Sequence, residues 1–274
     1  MRFYLGSHHP GWLTRTPVPL FISDVRLSRY KSLPRAIGRW ALDSGGFSML
    51  SVHGTWDAGP TPAEYAARVR RYRDEVGGLD WAAPQDWMCE PFITDRTGLS
   101  VAEHQARTVT NYLTLRDLDP DLPFVPVLQG FDLPDYLACA DLYQQAGIDL
   151  GGVQVVGVGS VCRRQGTRDA AAIMTALCQH LPGVRLHGFG IKTSGLHQYG
   201  ALLASADSMA WSYGARRSDP LPECTGHKNC ANCLTYALGW RTKVLDAMTT
   251  RHHTVSTRSR DRGQLALFDL EDAA

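Results

Sequence analysis

Cys224, His227, Cys230 and Cys233 stand at intervals of three residues near the C-terminal end of the chain. Thiolates and an imidazole suit Zn2+, and four protein ligands close a tetrahedral shell, which leaves no position for a reacting water and points to a structural ion. The other cysteines, Cys89, Cys139, Cys162 and Cys178, are scattered, and the total of seven is odd. That distribution argues for a reducing compartment and a metal site over a disulfide framework. A second set of residues is acidic or amidic and borders short apolar runs. It comprises Asp43 in Asp43-Ser44-Gly45-Gly46-Phe47, Asp86 after Trp81-Ala82-Ala83-Pro84, Gln129-Gly130 after Val127-Leu128, Gly157-Val158-Gly159-Ser160, and Asp207. A carboxylate at the end of a strand is open to a ligand, and the glycines beside it let the backbone approach closely. Each of these singly reads equally well as a turn or a helix cap. Together on one rim they describe a binding site.

The elements that must position them follow from periodicity. Eight short apolar runs, at residues 3–6, 19–22, 40–43, 79–82, 124–128, 153–157, 186–190 and 208–212, alternate with helical or loop segments such as 61–76, 169–181 and 196–204. Runs of that length alternating with crossover helices describe a parallel sheet. Thr61-Pro62-Ala63-Glu64 supplies an N-cap, a proline at the first helical position and an acidic first turn, so a helix starts there. The expected fold is a (β/α)8 TIM barrel over residues 1–215. A zinc-binding loop and helix follow at 216–253, then a flexible tail at 254–274. With 274 residues, 44% hydrophobic and 20% charged, the chain can bury a large core. It has no apolar run of eighteen residues and opens without the layout of a signal peptide, so the expectation is a soluble, cytoplasmic protein with no membrane partner. The formal net charge is only +1, so any nucleic-acid contact must come from local basic patches.

Asp43 to Phe47 resembles the DSGGF signature of the tRNA-guanine transglycosylase superfamily, and the similarity continues in order along the chain. The segment 79–90 (LDWAAPQDWMCE) resembles the stretch whose Asp recognises guanine. Val127-Leu128-Gln129-Gly130 resembles the VQGG-like strand, 155–160 the glycine-rich GGL segment, and 186–192 (LHGFGIK) the MGVG segment. The compact length, the rearranged cysteines, and DSMAWS at 207–212 where the tRNA enzymes show two aspartates make it similar to the DNA-directed branch, the bacterial and phage deazapurine-in-DNA transglycosylases. The resemblance implies exchange of guanine in DNA for a 7-deazaguanine base such as preQ0, through a covalent Asp–nucleoside intermediate, in a bacterial cell or phage-infected host. A tRNA-directed enzyme is the first alternative. A non-catalytic, zinc-stabilised nucleic-acid-binding protein is the second.

Base exchange at a glycosidic carbon passes through oxocarbenium-like charge, and so wants one carboxylate as nucleophile and another as acid/base. By resemblance, Asp43 is the acid/base. Asp207 is the candidate nucleophile, although an ungapped match pairs it with the family's earlier aspartate and places Ala210 at the nucleophile position. Asp86 suits guanine, whose N1–H and exocyclic amine form a donor pair that a carboxylate accepts bidentately, while Gln129 can donate to O6. Ser44, Gly45, Gly46, Phe47, Gly130, Gly157 and Gly159 complete the expected base pocket, with Phe47 or Met209 against the purine face. The family's zinc arrangement, a CxCxxC followed by a distant His, would keep Cys230 and Cys233 and make His252 or His253 the alternative to His227. Arg163-Arg164 and Arg216-Arg217 follow the rim loops and can bind phosphate. Reaching the glycosidic bond requires extruding the nucleotide from the stack. In the tail, Gln264-Leu265-Ala266-Leu267-Phe268 resembles the QLxLF peptide that docks on the bacterial sliding clamp. A helper ATPase-type partner is also compatible with the resemblance.

Overall fold

A computed structural model describes residues 1–248, so the expected clamp-docking peptide and His252 and His253 lie outside the described residues. Eight strands, β1 (Arg2–Ser7), β2 (Leu20–Ser23), β3 (Trp40–Asp43), β4 (Leu79–Ala82), β5 (Val127–Leu128), β6 (Val156–Val158), β7 (Leu186–Gly188) and β8 (Leu203–Ser208), form one parallel sheet. Its order is β4-β3-β2-β1-β8-β7-β6-β5. The two outer strands meet where Ala82 pairs in parallel with Phe124, just before β5. Ala82 donates to the Pro123 carbonyl (2.9 Å) and accepts from the Val125 amide (3.1 Å), which closes the sheet into a (β/α)8 barrel.

Both faces of the sheet are covered, which is why the strands read as nearly continuous apolar runs. Alternate side chains divide between two cores. Phe3, Leu5, Leu20, Ile22, Trp40 and Leu42 belong to the larger one, with apolar helix residues such as Val69, Leu115, Tyr136, Met174 and Leu177. Tyr4, Ala41, Trp81, Val125 and Val155 make the smaller one, which fills the barrel interior. The helices are α1 (Asp24–Leu27), α2 (Gly46–His53), α3 (Pro62–Arg71), α4 (Pro91–Thr97), α5 (Val101–Leu118), α6 (Leu133–Gln145), α7 (Arg168–His180), α8 (Thr193–Tyr199) and α9 (Ala210–Ala215). A closing helix occupies 234–248. The Thr61 start is a full capping box with Glu64, and Ser100 with Glu103 starts α5 in the same way.

One expected strand is displaced. Residues 208–212 are not β8; the strand is Leu203–Ser208, and the residues after it turn into α9. The run Met209-Ala210-Trp211 is apolar because Trp211 is buried against Trp12, at 5.4 Å between ring centroids. The true strand is masked because Ser205 and Asp207 both bond a histidine buried inside the barrel. The correction puts Asp207 at a strand end instead of ahead of one. Smaller shifts occur at β5 and β6. Prolines 123 and 126 have no N–H to give the ladder, so pairing around β5 reduces to residue 124 and residues 127–128.

At the opposite, N-terminal face, Asp80 is almost fully buried and accepts from Arg2 (2.6 Å), Arg39 (2.6 Å) and Tyr4 (2.8 Å), tying β1, β3 and β4 together. Both arginines are half-exposed and can return to water when the carboxylate is lost, whereas the Tyr4 hydroxyl cannot. Asp80→Ala is therefore expected to cost about 2 kcal/mol and lower Tm by roughly 5 °C in a thermal melt. An unchanged Tm would show that this cluster does not fasten the barrel.

Candidate active site

The C-terminal ends of the strands surround a cavity of about 320 Å3, a size suited to a small ligand. Asp43, Asp86 and Asp207 all line it, with Gly46, Phe47, Gly159 and Met209 among the expected residues. Ser44, Gly45, Gln129, Gly130 and Gly157 are not on its wall. Gly45 makes the turn from β3 into α2 at φ 86°, a left-handed conformation, and a Cβ there would also strike Val25. Gly130 packs on Asp135 and Tyr136, and Gly157 under Phe189.

Each carboxylate is held differently. Asp43, at the tip of β3, accepts from the Gly45 amide at 3.0 Å. Burial pushes its carboxyl up from the ordinary range, the nearby Asp207 charge adds to this, and the Gly45 amide and Ser23 hydroxyl draw it back. Asp207 lies at the end of β8, and both of its donors act on Oδ1: the Gly190 amide at 2.9 Å and His187 Nε2 at 3.3 Å. His187 is wholly buried, and its Nδ1 lies 2.9 Å from the Ser205 hydroxyl. The imidazole thus links the Ser205 hydroxyl to Asp207 Oδ1 inside the barrel.

Asp86 is also shifted upward. Burial raises it to about 7, and the Asp43 charge contributes in the same direction. The Gln129 carboxamide opposes the rise by donating Nε2 to Asp86 Oδ2, while Ser44 lies 3.4 Å from Oδ1. Gln129 was expected to meet the base directly. It is instead fully buried behind Asp86, with Oε1 accepting from Ser160 at 2.7 Å, and Gly159 passes so close that any Cβ there would strike its amide. Ser160 takes φ 54°, unusual for a non-glycine residue, and this places its hydroxyl between Gln129 and the Cys89 amide (2.7 Å).

The loop carrying Asp86 is fixed by one face of α5. Asn111 accepts from the Gln85 amide (3.0 Å), Thr108 from the Trp87 amide (2.8 Å), His104 meets the Met88 carbonyl, and Gln105 donates to the Gln129 carbonyl (2.8 Å). His104 and Gln105 each stand three or four residues before Thr108, and Asn111 three after it, so one broad helical face reaches all four partners. Trp56 donates to the Asp86 carbonyl at 3.0 Å from the other side.

The expected arginines separate. Arg164 lies over Phe131, 4.3 Å from the ring centroid, and donates to the Phe131 carbonyl, so it fastens its own loop. Arg163 is exposed and lies over Phe92 and Phe47. Arg217 stacks on Tyr213 at 3.8 Å. Arg216 approaches His8, which with Arg26 lines the cavity on its β1–β2 side. Partial burial first, and then Arg26, His9 and Arg216, hold the His8 imidazole below its ordinary range. Sequence reasoning missed His8, Arg26 and His187. His8 was findable as the first residue beyond β1, next to Ser7; His187 was hidden inside a strand.

Beyond α9, the ligand atoms of Cys224, His227, Cys230 and Cys233 all lie within 4.8 Å of one another. Cys224 and Cys233 sulfurs are 3.7 Å apart, and His227 Nε2 is 3.2 Å from the Cys230 sulfur. A tetrahedral ion with about 2.3 Å bonds to sulfur sets two thiolates about 3.8 Å apart, so the four residues fit a metal shell. The loop is joined to the barrel by Ser212, which donates to the Ala231 carbonyl at 2.8 Å, and by packing of Cys230 and Ala231 on Ala215.

The chain is a parallel barrel with three aspartates around one cavity at its C-terminal mouth and a Cys/His cluster after its last strand. The chain belongs to the DpdA family, DeoxyPurine in DNA protein A, whose sequence model matches residues 1–272. Membership gives it a general role in DNA modification as a transglycosylase-type enzyme, in agreement with the resemblance read from the sequence. No curated protein matches the chain. Among the described residues no helix is long and apolar enough to cross a membrane.

The cluster generates a direct expectation. Purified protein should carry about one equivalent of a divalent metal, and Cys230→Ser with Cys233→Ser should remove it and lower Tm. Full metal content in that double variant, measured by elemental analysis, would rule out the cluster as the site.

Proposed function

We propose that the protein exchanges guanine in DNA for a 7-deazaguanine base such as preQ0 at this cavity, and that Zn2+ in the Cys/His cluster is structural. The observation that carries the reading is the placement of three differently held carboxylates around one cavity in a chain of this family. Asp86 accepts the N1–H and exocyclic amine of the base, with Gln129 holding it from behind. Asp207, oriented through Oδ1 by Gly190 and His187, uses its other oxygen to form a bond to C1′ as the C1′–N9 bond breaks. The electron pair of that bond leaves with guanine, which takes a proton from Asp43. The raised affinity of Asp43 for its proton suits it to donate. The incoming 7-deazaguanine then returns a proton to Asp43 and displaces Asp207 from C1′. Cys224, His227, Cys230 and Cys233 would hold the Zn2+, whose part would be to close the 224–233 loop against α9, the continuation of the strand that carries Asp207. His8, Arg26 and Arg216 on the β1–β2 side face the phosphates beside the extruded nucleotide.

Asp207→Asn and Asp43→Asn should each lower release of labelled guanine from DNA by at least about a thousandfold. A covalent adduct should be trapped in Asp43→Asn and absent from Asp207→Asn. Near-normal turnover of Asp207→Asn would remove it as the nucleophile.

Guanine donors favour the ionised form of Asp86, so base binding lowers its proton affinity. Affinity for guanine should therefore rise with pH through about 7 and level off above it. Binding just below that pH should release a proton, detectable as a buffer-dependent heat in calorimetry. Asp86→Asn should abolish both effects. A pH-independent affinity in the native enzyme would refute the role given to Asp86.

A further inference from the structure

The cavity mouth carries an aromatic surface that the exchange reaction leaves unused. Phe47 on α2 and Phe92 on α4 are 43% and 37% exposed, with ring centroids 6.2 Å apart and planes at 58°. The Arg163 guanidinium, from the loop after β6, lies 4.2 Å from the Phe92 centroid and 5.5 Å from that of Phe47. Leu50, Trp56, Trp87 and Ile93 pack into one buried cluster beneath α2 and α4, so both rings stand on a rigid base. Phe47 also lines the cavity, which makes the surface continuous with the site. Arg163 forms no ion pair among the described residues, unlike Arg68 or Arg70.

Two neighbouring phenylalanines kept in water beside a binding cavity, with a guanidinium laid across them, have the chemistry of a nucleobase platform. Aromatic rings and arginine faces stack on any base without reading its identity. Extruding one nucleotide also uncovers the faces of its neighbours, and a surface at the rim that covers one of them offsets the lost stacking.

Resting on the base-exchange reading above, we propose that Phe92 and Arg163, joined to the cavity by Phe47, stack on the nucleobase next to the exchanged guanine in the same strand. Arg163 acts through its flat face, so lysine cannot replace it. A phosphate contact would instead depend on charge alone.

The test is binding of a fluorescent single-stranded oligonucleotide with one central guanine, measured by anisotropy across a salt series. Phe92→Ala should weaken binding about tenfold with no change in salt slope. Phe92→Trp should restore it, which separates stacking from a folding defect. An abasic position on one side of the guanine should weaken binding to the native protein similarly and add nothing to Phe92→Ala. Arg163→Lys should behave like Arg163→Ala. The proposal is overturned if Phe92→Ala binds like the native protein, or if Arg163→Lys retains affinity while Arg163→Ala lowers the salt slope by about one, the signature of a phosphate contact. Guanine release by the native enzyme is scored separately. Absent release with the abasic coupling intact would discard base exchange and keep the platform.

Discussion

Three carboxylates share one partly dehydrated cavity, and burial draws two of them, Asp43 and Asp86, toward their neutral forms. Asp43 and Asp86 show the result as raised proton affinity, with burial as the larger cause and a neighbouring aspartate reinforcing it. Such an arrangement persists only if the scaffold fixes every carboxylate with donors that cannot relax away. Much of the polar interior is spent on this. His187 and the Gly190 amide hold Asp207, Gln129 holds Asp86, and Ser160 holds Gln129 from a backbone conformation that a serine seldom adopts. The stripe His104, Gln105, Thr108 and Asn111 on α5 belongs to the same requirement, because the loop bearing Asp86 has no sheet ladder to stabilise it.

The barrel separates this demand from the stability of the fold. Its N-terminal face is tied by a carboxylate with cations on both sides, Asp80 between Arg2 and Arg39, where charge is neutralised. Its C-terminal face gathers carboxylates whose compensation is incomplete, and these can respond to a ligand. Coupling between the Cys/His loop and the site follows from chain order. β8 delivers Asp207, Trp211 on α9 donates to the Gly6 carbonyl of β1 at 2.9 Å, and Ser212 then anchors the metal loop. An ion that orders the loop thus stiffens the segment immediately after Asp207.

Features set by one residue type in a local pattern were legible in the sequence. Capping boxes at Thr61 and Ser100 require only a hydroxyl and a glutamate three residues later, and the first was read correctly. The barrel itself, and the placing of Asp43 and Asp86 at its mouth, followed from apolar runs that end in polar residues, whereas Asp207 was read ahead of a strand. Where the interior of the barrel is itself polar, the signal inverted. Ser205 and Asp207 broke the apolar run of β8, and the buried face of α9 made a helix look like the strand. Side-chain direction was equally invisible. Arg163 and Arg164 are adjacent in the chain, yet one lies on the rim aromatics and the other turns in to Phe131. Gln129 has the right chemistry to touch a base, but Gly159 lets it sit one layer deeper, behind Asp86.

An acidic cavity is an unpromising place to bring a polyanion, and a net charge of +1 supplies no general attraction. The raised proton affinities ease the difficulty. While the cavity is empty, Asp43 and Asp86 hold protons more firmly than ordinary carboxyls, so the negative field at the mouth is weaker than three aspartates imply. Cationic groups sit at the edges, with Arg26 and Arg216 on one side and Arg163 on the other, so the strand meets positive charge before it meets the carboxylates. On the proposed reading, the donors of a seated base would stabilise the ionised form of Asp86, and the charge would develop where the ligand needs it. Burial that would be a liability for an isolated aspartate here lets Asp86 present less negative charge to approaching phosphates than an ordinary carboxylate would.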